Sequence, residues 1–198
     1  MIESIDAALF SSLDEDIART CEEQRFLLIA GQLDEAKGEK RHKLKNVVFQ
    51  YLQFSPNADY LITEFISACL LMKSPDRLDF AIDVLSRTGR QIVLYAQKYL
   101  EQDIASWSKL NPNKKFQPND DYWYVLLRSI AKCKVAKKEA LQIISACQDE
   151  GSFGVGEGVV EALGDIGTVE SKRLLDSISK AHPVLRVRDL AREVLLDQ

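Results

Sequence analysis

Histidine is almost missing from this 198-residue chain, which carries two, and that scarcity narrows its chemistry before any motif is sought. A zinc site of the usual kind draws on several imidazole or thiolate ligands, and a Ser-His-Asp triad needs a histidine base. His42 lies in a basic run and His182 directly precedes Pro183, so neither offers an obvious ligand set or base. Cys21, Cys69, Cys133 and Cys147 show no Cys-x-x-Cys spacing and fall in helix-like apolar patterns, which fits reduced, buried thiols. Acidic residues are plentiful but scattered, so no pair stands out for acid and base work. No catalytic residues, no metal and no cofactor are expected. Nine glycines and five prolines leave long stretches open to helix formation. No apolar run approaches the roughly 18 residues needed to span a bilayer. Met1 to Asp6 lacks a basic segment followed by an apolar one, so no signal peptide is expected, and the cytoplasm is the expected compartment.

A formal net charge of -4 argues against nucleic acid as the main ligand, since duplex binding needs a clustered excess of Lys and Arg. One basic run, Lys37 to Lys45, sits beside Asp34 and Glu35 and reads as a solvated face or an electrostatic docking patch. The length suits one domain with a sizeable core.

What the chain does contain is a repeat. Val155-Gly-Glu-Gly-Val-Val-Glu-Ala-Leu163 superposes without gaps on Val187-Arg-Asp-Leu-Ala-Arg-Glu-Val-Leu195 at a shift of 32 positions. Earlier copies start at Tyr122 and Arg77. In each copy, apolar and small residues recur at i, i+3, i+4, i+7 and i+8, the stripe of an α-helix, and a second helical pattern separates the copies. The unit is a helical hairpin. Turn signals at Ser55-Pro56, Ser74-Pro75, Thr88-Gly89, Gly164 to Thr168 and His182-Pro183 divide the helices. They predict helices over 4–19, 22–32, 42–54, 58–73, 76–88, 91–107, 121–132, 136–149, 155–164, 169–180 and 184–196.

Ala162-Leu-Gly-Asp-Ile-Gly167, then a Leu-rich helix, then Val187-Arg188 opening another, resembles the short bacterial HEAT-like repeat of the kind also found in phycobilin lyases. The match is good over 121–198, partial over 44–106 and absent before that. The resemblance implies an all-α, right-handed α-solenoid of stacked hairpins (an α-α superhelix), because one hairpin cannot bury both of its apolar faces alone. One domain over 1–198 is expected, with a divergent N-terminal cap at 1–40, weaker repeats at 42–108, an inserted loop at 109–120 and clear repeats at 121–198. Such repeats commonly carry an Asp after the Ile-Gly pair, facing an Arg of the next repeat. Here Thr168 takes that place, while Arg188 keeps the arginine position. Gly158, Ala162, Gly164 and Ala191 are expected at close helix crossings.

Two groups of residues are candidates for binding another protein. The loop 109–120 stretches the repeat spacing, contains Phe116 and is flanked by Trp107 and by Tyr122, Trp123 and Tyr124, either as docking anchors or as rings plugging the interrupted repeat. An anchor would leave Trp107, Phe116 or Trp123 partly open to solvent. The second group comprises outward positions of the second helix in each hairpin: Lys98 and Gln102, then Lys137, Lys138, Gln142 and Ser145, then Arg173, Asp176, Ser177 and Lys180. Gly151 to Gly158 has the look of a phosphate loop, but no strand precedes it and no Lys-Ser or Lys-Thr follows, so an interhelical turn is expected.

The expected function is a non-catalytic protein-binding adaptor, scaffold or assembly factor. Alternatives are an immunity-type inhibitor of a cationic partner such as a toxin, and a HEAT-repeat enzyme of the bilin lyase or DNA glycosylase kind, the last suggested by fold resemblance alone.

Overall fold

The computed structural model describes residues 24–26, 29, 32, 38–71, 75–110, 119–148 and 152–198, and of residues 75–77 and 107 the backbone only. The described residues are helical, with no strand among them. The helices are α1 Gly38–Phe54, α2 Ala58–Leu71, α3 Pro75–Ser86, α4 Arg90–Leu110, α5 Asp120–Lys132, α6 Lys137–Ala146, α7 Phe153–Ile166, α8 Val169–Ala181 and α9 Leu185–Leu196. None is long and apolar enough to cross a membrane. The helix expected over 4–19 lies outside the described residues. Two compact units divide the chain, residues 1–65 and 66–198, with the division inside α2.

In the first unit Phe26 is fully buried, its ring edge-on to Tyr51 at 6.0 Å and to Phe65 at 6.2 Å. Val48, Leu52, Leu61 and Ile62 are buried in this unit as well.

In the second unit the helix boundaries follow local chemistry. Asn119 caps α5 by accepting a hydrogen bond from the Tyr122 N–H, and Asp120 and Asp121 place negative charge at the positive end of the helix. Ser152 accepts from the Val155 N–H to start α7, two residues earlier than expected. The glycine-rich stretch is therefore chiefly the first turns of a helix. Gly167 ends α7 in the left-handed region, with φ of 63°, where a Cβ is unfavourable. Thr168 then caps α8 by accepting from the Ser171 N–H at 3.2 Å, and Arg188 donates to the His182 carbonyl at 3.1 Å. The position after the Ile-Gly pair thus serves as a helix cap.

The helices holding the four repeat copies contact one another in succession: α3 meets α5, α5 meets α7, and α7 meets α9. Their partners α4, α6 and α8 attach to them, and α4 also meets α6. Being flanked on two sides, α5 and α7 bury residues around most of their circumference, whereas α9 buries only Val187 and Ala191.

Glycine makes the double flanking of α7 possible. A Cβ on Gly158 would lie 3.1 Å from the Tyr124 Cα, and one on Gly154 would lie 2.6 Å from the Asp120 Cβ, both on the α5 side. On the α9 side a Cβ at Gly156 would lie 2.6 Å from a Val187 methyl, and one at Gly164 2.9 Å from a Val194 methyl. Polar links reinforce the α5–α7 contact. Arg128, whose side chain is 12% exposed, pairs with Glu161 and, at 2.7 Å, with Asp165, while the Tyr124 hydroxyl donates to Glu161 at 2.8 Å.

Gly156→Ala should lower stability by about 1–3 kcal/mol through overpacking, despite a helix-propensity gain of up to about 1 kcal/mol, because the added Cβ meets both methyls of fully buried, β-branched Val187. Adding Val187→Ala should return part of that loss. Urea denaturation of both single variants and the double variant checks this, and strictly additive losses would refute the close-approach argument.

Candidate functional site

A groove of about 320 Å³ opens in the second unit, lined by α4, α5, α6 and the residue that ends α6. Its position follows from helix spacing. On α4 the turn-to-turn series Gln97, Leu100, Glu101 and Ile104 faces the groove, and on α6 the series Glu139, Gln142, Ile143 and Ala146 does so. The base is made by three buried side chains, Leu100, Trp123 and Cys147. Ile104 and Ile143 add partly exposed apolar walls, and Gln97, Glu101, Glu139 and Gln142 are exposed at the rim.

The base is held rigidly. The Trp123 indole N–H donates to an Asp103 carboxylate oxygen at 2.8 Å, a charge-assisted bond that fixes the ring plane. Beside it, Tyr122 stacks on Tyr99 with centroids 4.5 Å apart, and its hydroxyl lies 2.6 Å from that of Tyr95. Burial, then the Asp103 carboxylate and the Tyr95 hydroxyl, pushes the Tyr99 phenol up from 10.0 to about 12. At the rim the Gln97 amide donates to Glu101 at 3.1 Å. The Cys147 thiol is 3.3 Å from the Ile143 carbonyl, to which it donates.

Chemically, the groove is an apolar slot edged by two carboxylates and two amides. Among the described residues no Lys, Arg or His lines it, and no group of three or more His, Cys, Asp or Glu could hold a metal ion. Cys147 is the one thiol or hydroxyl among the lining residues, and no imidazole is among them to act as a base. Such a surface binds by burying apolar area and by attracting hydrogen-bond donors and positive charge.

Of the candidates named from the sequence, Trp123 and Gln142 come together in this groove. Tyr122 and Trp123 are 4% and 0% exposed, so neither ring stands open as an anchor; both are packing that interlocks α4 with α5. Phe116 and the Trp107 side chain lie outside the described residues. The expected loop is shorter at its start, since α4 continues through Leu110. Lys98, Gln102, Lys137, Lys138, Arg173, Asp176, Ser177 and Lys180 are exposed as expected from spacing, with Ser145 intermediate. None of these lines the groove, and Asp176 pairs with Lys180 at 2.6 Å on the surface of α8. Gln97, Glu101, Ile104, Glu139 and Ile143 were missed. For Ile104 and Ile143 the signal was an apolar stripe wider than the core requires, since Ile104 remains 42% exposed and Ile143 flanks the buried Ile144, whereas Gln97, Glu101 and Glu139 carry no such signal.

No family model matches the chain, and no curated protein or solved structure matches it.

Two outcomes follow for the base of the groove. Trp123→Phe removes the donor to Asp103 and part of the ring volume, and should cost about 2–4 kcal/mol in denaturant titrations. Tyr99 keeps its proton in the folded state above pH 10, where the unfolded chain releases it. Its contribution to stability is therefore complete below pH 10 and is lost as pH rises to about 12. Tyr99→Phe should flatten the stability profile in that window and remove a step near pH 12 from the ultraviolet tyrosinate titration.

Proposed function

We propose that residues 75–198 stack as HEAT-like hairpins in a right-handed α-solenoid, and that the chain is a non-catalytic adaptor or assembly factor holding another protein on the layer formed by α4, α6 and α8. Support for the architecture comes from the sequential contacts of α3, α5, α7 and α9, which carry the equivalent repeat segments. In such a stack the second helices form a continuous surface between neighbouring repeats. The observation that carries the functional reading is the groove between α4 and α6, where buried Trp123 and Leu100 underlie exposed polar side chains. An apolar base ringed by polar groups is the arrangement of a protein interface hot spot. The buried thiols Cys69, Cys133 and Cys147 suit a reducing compartment, so the cytoplasm is the location this reading implies.

A second reading, an inhibitor that covers a cationic protein, draws on the same groove, since both ionisable rim groups are carboxylates. It differs in its expected salt dependence, because binding dominated by long-range attraction falls steeply with ionic strength.

The test is site-specific photocrosslinking in the native host. A photoreactive phenylalanine analogue at Gln142 or Lys98 should trap one defined protein, and the same analogue at Asp83 on α3 should not. Absence of any trapped protein from Gln142, Lys98 and Arg173 would overturn the adaptor reading, as would turnover of a substrate by the purified chain that depended on defined side chains.

A further inference from the structure

The size and edging of the groove restrict what fits it, and this inference rests on the adaptor reading above. At about 320 Å³ the space sits at the low end of the roughly 300–1,000 Å³ typical of small-molecule sites. It accommodates one large side chain more readily than an extended cofactor. The deep wall is apolar, built from Leu100, Trp123 and Cys147, and so rewards a Leu, Met or aromatic ring. The rim is of one sign. Glu101 on α4 and Glu139 on α6 are its ionisable groups, and among the described residues no cation lines the groove to neutralise them. A neutral apolar occupant would bring the two carboxylates nothing, and an acidic one would be repelled. Gln97 and Gln142, one from each wall, add amide donors and acceptors suited to a peptide backbone.

We propose that the groove takes a single large apolar side chain from a partner protein segment in which Lys or Arg residues flank that side chain. The apolar residue fills the slot over Trp123, and its basic neighbours meet Glu101 and Glu139 at the rim. Burial of the ring sets residence time, while the rim charges set partner choice and the rate of encounter.

The experiment titrates the full chain, labelled at isoleucine δ1 methyl groups, with three short peptides: Lys-Lys-Phe-Lys-Lys, Lys-Lys-Gly-Lys-Lys and Glu-Glu-Phe-Glu-Glu. The Ile104 and Ile143 methyls should shift saturably with the first peptide and at least about tenfold more weakly with the other two. Glu101→Gln combined with Glu139→Gln should weaken the first peptide about three- to tenfold while leaving the remaining methyl spectrum unchanged. Ile104→Lys places a cation in the slot at a side chain that is 42% exposed, so the fold should persist and the shifts at Ile143 should vanish. Equal affinity for the acidic and basic peptides, equal affinity for the Phe and Gly peptides, or undiminished binding to Ile104→Lys would each overturn the proposal. Shifts of the same methyls produced by raising the protein concentration alone would assign the groove to a second copy of the chain and overturn it too. A protein crosslinked from Gln142 that binds without this charge preference would end the inference and leave the adaptor reading standing. Failure to trap any protein is the result that removes the adaptor reading itself.

Discussion

The close approach of α7 to the helices on both of its sides is the constraint on which the second unit depends. Most interhelical contacts separate backbones by a layer of interlocking side chains, with axes about 8–10 Å apart. Along α7 that layer is thinned on both faces, by Gly154 and Gly158 toward α5 and by Gly156 and Gly164 toward α9. Glycine in a helix interior loses about 1 kcal/mol per residue in propensity, so four in one helix are sustained only by the packing they permit. Val159, Val160, Ala162 and Leu163 are buried between them and provide that packing.

The same proximity explains the polar chemistry between α5 and α7. Arg128 reaches Glu161 and Asp165 across to α7, and donates to the Tyr124 hydroxyl one turn earlier on its own helix. Removing water from such a network strengthens each interaction and makes any missing partner costly. The α5 helix is thereby held in position and orientation. On its other side α5 presents Tyr122 and Trp123 to α4, where Tyr95, Tyr99 and Asp103 receive them. The base of the groove is thus fixed from behind, and the exposed rim on α4 and α6 stands on a rigid support. A preorganised support of this kind limits the ordering entropy lost on binding.

Helix positions were legible in the sequence because they rest on local terms. The apolar period over 121–132 and 169–180 and the turn glycines Gly89 and Gly167 act within a few residues, and the observed boundaries fall within about two or three residues of expectation for most helices. The exposed faces of α6 and α8 were readable for the same reason. The roles of Tyr122 and Trp123 were harder to read, because an aromatic cluster beside a polar loop has the same sequence whether it faces solvent or a neighbouring helix. Asp103 lies 20 positions from Trp123, and no local pattern connects the two. Thr168 departs from the repeat motif, yet its hydroxyl suits a helix N-cap, and geometry shows that it serves as one.

By itself, then, the sequence determined that the second unit is built of amphipathic helices, since hydrophobic period and capping chemistry depend on neighbours along the chain. Only the tertiary structure decided which face of α4 turns toward α6, placing Gln97 and Glu101 at the groove while Lys98 and Gln102 stay outside it. Successive residues on a helix are rotated by about 100°, so turning α4 by that angle about its axis exchanges one pair for the other. That rotation is set by the docking of Tyr99 and Asp103 against Tyr122 and Trp123, contacts between side chains about 20 residues apart that periodicity does not encode.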